Sequence, residues 1–151
     1  MTDFGQLDEQ LEEYDIRFEF KGKEYTVTPS VHDVLAYHRD RASSYAKLQK
    51  DPNSDSFGMW RRVSPLLGSK FIAKSGKFEG GIFEEIIEAG ASFAQVERLA
   101  NAIDLKYSSS DALAKAYFET GELGKALDKV KNDTQPSQET QKAAGETNGD
   151  A

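Results

Sequence analysis

Two histidines, His32 and His38, and the carboxylates Glu84, Glu85 and Glu88 are the side chains through which this chain could do acid–base or metal chemistry. Six residues apart, the histidines project about 120° from each other on a helix, so one metal ion cannot take both from it. His38 shares a face with apolar neighbours and reads as a histidine at the edge of a core, with a hydrogen-bond partner. Glu84 and Glu88 lie one helical turn apart, but no histidine follows at the spacing that carboxylate metal centres use, and a solvated helix face accounts for them. The Gly80-Gly81 pair precedes a helix without a strand legible before it, and no phosphate-loop, nucleophile-elbow or dinucleotide pattern occurs. The 151 residues contain no cysteine, which removes thiolate catalysis, thiolate metal sites and disulfides together. Enzyme is the function class with least support, and no cofactor is expected.

Nucleic-acid binding fares little better. The step Ala89-Gly90-Ala91-Ser92 between two short helices has the outline of a helix-turn-helix. The second helix would present Phe93, Ala94 and Gln95 to base edges and carries Glu97, Arg98 and Asp104, without the basic footprint that phosphates demand. Ile86 also stands where a tight helix crossing wants a small side chain. Trp60 with Arg61 and Arg62 is the one basic and aromatic cluster, and reads as a partly buried indole beside solvated guanidinium groups. A formal net charge of -7 repels phosphate and anionic membrane alike and suits a basic partner. No run approaches membrane-spanning length, and the start lacks a basic region followed by an apolar one, so a soluble, cytoplasmic protein is expected.

The elements that must position these residues are mainly helical. Ile82, Phe83, Ile86 and Ile87 share a helical face that Gly90 closes. Ser92 stands three residues before Gln95 in a capping box, and Phe93, Val96, Ala100, Ile103 and Tyr107 continue the stripe. After three serines, Ala112, Leu113, Ala116 and Tyr117 form a third stripe that ends at Gly121. Upstream, Ile16, Phe18 and Phe20 alternate with charged residues, as do Tyr25 and Val27 after Lys21-Gly22-Lys23, which predicts a β-hairpin over 16–28 with one apolar face. Pro29-Ser30 opens a helix to about Gln49, whose expected buried face is Val31, Val34, Leu35, His38, Ala42 and Tyr45. Residues 3–14 read as a short marginal helix, 51–56 as a loop and 75–81 as a flexible link. A helix beginning near Ser64 is expected in the irregular segment between them. Leu123, Ala126, Leu127 and Val130 form a last helix. Residues 131–151 hold no large apolar side chain and are expected to be a disordered polar tail. The fold class is mainly α (α+β): one helical domain over 1–130 with an N-terminal hairpin.

The order of these features carries a resemblance. An acidic start with Phe4 and Leu7, the strand from Ile16 to Phe20, the turn Lys21-Gly22-Lys23-Glu24-Tyr25, the Pro29-Ser30 helix start, and Phe83-Glu84-Glu85-Ile86-Ile87-Glu88-Ala89-Gly90 leading to a helix at Phe93 follow one another. Over residues 3–121 the chain resembles the tail assembly chaperones of long-tailed, siphovirus-type phages of actinobacteria. The resemblance implies a non-enzymatic protein of the host cytoplasm, absent from the mature virion, that binds and solubilises the phage tape measure protein during tail assembly. It also implies a frameshifted longer form of the protein as a partner, and a homo-oligomer is a further expectation. No catalytic or ligand residue is carried over by it. A chaperone of amphipathic helices needs an exposed apolar groove. Phe57, Met59, Trp60, Leu67 and Phe71, in the segment with least evident secondary structure, are the candidates for partner binding. The alternatives are a DNA-binding regulator and a structural phage subunit such as a head-tail connector.

Overall fold

The computed structural model describes residues 1–7, 16–53 and 57–134. Within the span read from the sequence as one domain, the contacts define two compact units, Met1–Ala100 and the residues from Asn101 on. The fold is mainly α with small β elements.

In the first unit, β1 (Ile16–Phe20) and β2 (Lys23–Val27) pair antiparallel with Ile16 opposite Val27 and Phe18 opposite Tyr25. Lys21 and Gly22 both have positive φ, the conformation of a tight primed turn whose twist matches that of the strands. Alternation puts Ile16, Phe18 and Tyr25 on one face, where the Phe18 and Tyr25 rings stack 4.9 Å apart. Ile16 and Tyr25 are buried, and Phe18, Phe20 and Val27 half-buried. Lys21 donates to the Ala89 carbonyl (2.7 Å) and Lys23 pairs with Glu85.

Ser30 caps α1 (Val31–Lys50) by accepting from the Asp33 amide (3.1 Å). The helix is seated by the face opposite the expected one. Tyr37 and Ser44 are buried against α2 and the turn after it, while Val31, Leu35, His38 and Tyr45 are exposed. Asp40, between the two buried residues, pairs with Arg61 at 3.2 Å on the same side of the helix. The Tyr37 ring, one of the largest fully buried side chains of the protein, commits this face to the core. His38 is therefore not a core-edge histidine.

Helix α2 (Gly58–Val63) runs into a 3-10 turn (Ser64–Leu67) that Gly68 ends in a left-handed conformation, in place of a helix starting at Ser64. Val63, Ser64, Leu66 and Leu67 form the centre of the core. A second hairpin follows, β3 (Lys70–Ile72) with β4 (Lys77–Glu79), Phe71 opposite Phe78. It replaces the expected link over 75–81 and supplies a strand before Gly80-Gly81; three-residue strands are too short for alternation to reveal.

Helix α3 (Gly81–Glu88) buries Phe83 and Ile86 but leaves Ile87 exposed. Gly81 lies so close to the preceding turn that a β-carbon there would stand 2.4 Å from the Gly68 carbonyl carbon. Ser69 closes this junction by donating to the Gly80 carbonyl (2.8 Å) and accepting from the Phe83 amide (3.1 Å). Amides of Gly90 and Ala91 return to the Ile87 and Ile86 carbonyls (3.0 and 2.9 Å), ending α3 in a Schellman turn. Ser92 and Gln95 then cap α4 (Phe93–Ser108) reciprocally, at 2.8 and 3.2 Å.

The second unit contains the end of α4, α5 (Asp111–Thr120) and α6 (Leu123–Thr134). Leu113, Ala116 and Ala126 are its core, with Leu105, Tyr117 and Val130 packed on them. Ser110 caps α5 and Gly121 ends it. Helix α6 continues past the expected boundary at 130: Lys131, Asn132 and Asp133 add an exposed turn, which needs no apolar contact once the preceding turns are anchored. Residues 135–151 of the expected tail, and residues 8–14 of the expected N-terminal helix, lie outside the described residues. Residues 3–6 are not helical.

Candidate functional site

The second hairpin faces α2 on one side and the junction of α3 with α4 on the other, and an open groove of about 620 Å³ lies between them. Phe57 and Trp60 come from α2 and its start, Phe71 and Phe78 from the hairpin, Ile87 from α3, and Ala91, Phe93 and Val96 from the α3–α4 junction. All belong to the first unit.

The groove is built on a continuous aromatic cluster. Phe83, fully buried beneath it, lies 4.8 Å from Phe78 and 6.3 Å from Trp60 between ring centres. Phe78 meets Phe71 at 5.2 Å and Phe71 meets Phe57 at 5.7 Å. Trp60 adds edge contacts to Phe78 (5.8 Å) and a tilted contact to Phe93 (6.2 Å). Such offset pairs contribute roughly 0.5–1.5 kcal/mol each beyond the area they bury, so the rings hold one another in position. Phe93 is nevertheless 70% exposed. Its ring is available to whatever enters.

Polar groups mark the rim: Glu84 and Glu88 on α3 and Lys77 on the hairpin. Glu84 also accepts from the Gly80 amide, so the α3 N-terminus is occupied by the protein's own carboxylate. That contact disfavours an anion there, although a strand does precede the glycine pair. Glu85 is turned to the first hairpin, where its pairing with Lys23 raises the ammonium pKa above the ordinary lysine value.

Of the five residues expected from the sequence to bind a partner, Phe57, Trp60 and Phe71 line the groove, and two do not. Met59 is half-buried and outside the lining. Leu67, at 2% exposure, cannot meet a partner and belongs to the core, because the 3-10 turn points it inward. Sequence reasoning missed Phe78, Ile87 and Phe93 as groove residues. Ile87 and Phe93 sit on regular apolar stripes, a pattern that does not distinguish a buried face from a groove. For Phe78 a signal exists: Ser75-Gly76 between Phe71 and Phe78 is a turn between two aromatic strands.

Among the described residues no group of three His, Asp or Glu side chains could hold a metal ion, and no helix is long and apolar enough to cross a membrane. The family model of a domain of unknown function, DUF7426, matches residues 5–149. No curated protein and no solved structure gives a match.

Proposed function

The chain belongs to the DUF7426 family, and we propose that it is a non-enzymatic tail assembly chaperone that holds an amphipathic helix of a phage tape measure protein in the aromatic groove. The observation that carries this reading is an open apolar groove edged by two carboxylates and one lysine, with a largely exposed ring at its mouth. Amphipathic helices dock by apolar side chains at i, i+3, i+4 and i+7, and an aromatic trough receives such anchors. Glu84 and Glu88 favour an occupant with lysine or arginine beside its apolar face. The resemblance over residues 3–121 supports the same partner. In this reading the protein works in the host cytoplasm and does not enter the virion.

The test is co-expression with a tape measure protein. The wild-type chain is expected to raise the soluble fraction of its partner, and Phe93→Asp together with Phe57→Asp to abolish the gain. Both rings are exposed at the groove mouth, so the variant keeps its circular dichroism spectrum. A folded double variant that solubilises the partner as well as wild type would place the activity elsewhere.

A further inference from the structure

The outer face of α1 is a second, independent apolar surface. Val31, Leu35, His38, Ala42 and Tyr45 succeed one another at steps of four and three residues, the spacing of a coiled-coil seam. Val31 is 72% exposed, Leu35 61% and Tyr45 67%. At 1.5 Å per residue, the row from Val31 to Tyr45 is about 21 Å long. The inner face is already committed, through Tyr37, Ser44 and the Asp40–Arg61 pair.

Charge says what fits. The positions flanking the seam between His38 and Ala42 are Arg39 on one side and Arg41 on the other, both exposed. The acids of this helix lie elsewhere: Asp33 in the first turn beside the cap, and Asp40 turned inward to Arg61. A second copy docked on the same seam would bring its own arginines there, with no carboxylate at either flank to receive them. Flanking charges set partner choice in helix pairs, and like charges across the seam oppose association.

We propose that the outer face of α1 is a docking surface for an amphipathic helix of another protein, one that carries acidic residues beside its apolar seam. The chemistry is opposite to that of the groove, whose carboxylate rim favours a basic helix. One unit thereby presents two helix-binding surfaces of opposite preference, able to hold two different segments at once.

The probe is a synthetic three-heptad peptide with leucine on the seam and glutamate at both flanks, titrated by fluorescence anisotropy against the full chain. Its counterpart has lysine in place of every glutamate, and the two are compared on the full chain carrying Phe57→Asp and Phe93→Asp, whose groove no longer takes a basic helix. The glutamate peptide is expected to bind at least about tenfold more tightly at low salt, a preference that high salt reduces. Arg39→Glu with Arg41→Glu should reverse the preference, and Leu35→Asp with Tyr45→Asp should weaken both peptides at least about tenfold. Phe93→Asp, in the groove, should leave glutamate-peptide binding unchanged, which separates this surface from the proposed function. Equal binding of the two peptides, or an unchanged preference after the arginine reversal, overturns the proposal. A wild-type dimer in sedimentation that Leu35→Asp with Tyr45→Asp makes monomeric would assign the seam to a second copy instead. A glutamate-peptide affinity that rises tenfold on removal of residues 1–15 would assign it to the chain's own acidic start.

Discussion

Phe93→Ala separates the groove's role in binding from its role in folding. A phenylalanine presents roughly 200 Å² of surface, and Phe93 is 70% exposed, so about 60 Å² of the ring is covered within the protein and about 140 Å² remains. At about 25 cal/mol per Å², the covered part contributes at most about 1.5 kcal/mol to folding, offset in part by the better helix propensity of alanine. Burial of the remainder by a docked helix is worth up to about 3.5 kcal/mol, and an aromatic anchor at a binding centre typically costs about 2 kcal/mol or more when truncated. The expected signature is a small change in melting temperature beside a loss of affinity of about 30-fold or more. The assay is intrinsic, because Trp60 is the only tryptophan of the chain and lines the groove. Its emission should shift to the blue as a peptide from a tape measure protein expels water from the trough, and the midpoint gives Kd. A folded Phe93→Ala protein that binds with the wild-type Kd would refute the reasoning, as would binding that leaves the Trp60 emission unmoved.

Phe83→Ala removes the fully buried ring under the groove and should destabilise the protein by about 3–5 kcal/mol, read as a lower denaturant midpoint. Gly81→Ala forces a β-carbon to 2.4 Å from the Gly68 carbonyl carbon at a φ of 66°; strain and overpacking together should cost about 2–5 kcal/mol, and a chain as stable as wild type would show that the junction yields. In the second unit, the hydrogen bond and charge of Lys129 hold the Glu119 carboxyl below its ordinary pKa. The pair's stabilisation is therefore complete above the ordinary carboxylate pKa and is lost as pH falls through the lowered value. Carbon-detected NMR titration should show the Glu119 midpoint rising toward the ordinary value in Lys129→Met.

Local chemistry sufficed for the elements whose formation depends on near neighbours. The first hairpin follows from alternation around Gly22, and the Ser92–Gln95 box and the Gly90 and Gly121 ends depend on donors and acceptors a few residues apart. The same holds for the choice of an aromatic, loop-flanked segment as the place to look for a groove. Phe57, Trp60 and Phe71 are large, apolar and set among helix-breaking residues, features that composition displays.

Tertiary structure alone decided which faces are buried. Helix α1 carries its apolar periodicity on the outside because its inner face is chosen by distant partners: Tyr37 and Ser44 are buried against α2 and the turn after it, and Asp40 pairs with Arg61 twenty-one residues away; no period within 31–50 contains that information. Leu67 and Phe71 are alike in type and four residues apart, yet the 3-10 turn buries the first and the second hairpin turns the other to the groove. Phe78, Ile87 and Phe93 join the site for the same reason: strands of three residues and a helix of eight are held in register by packing on one another, so the pairing that assembles the trough is a property of long-range contacts and not of any one segment.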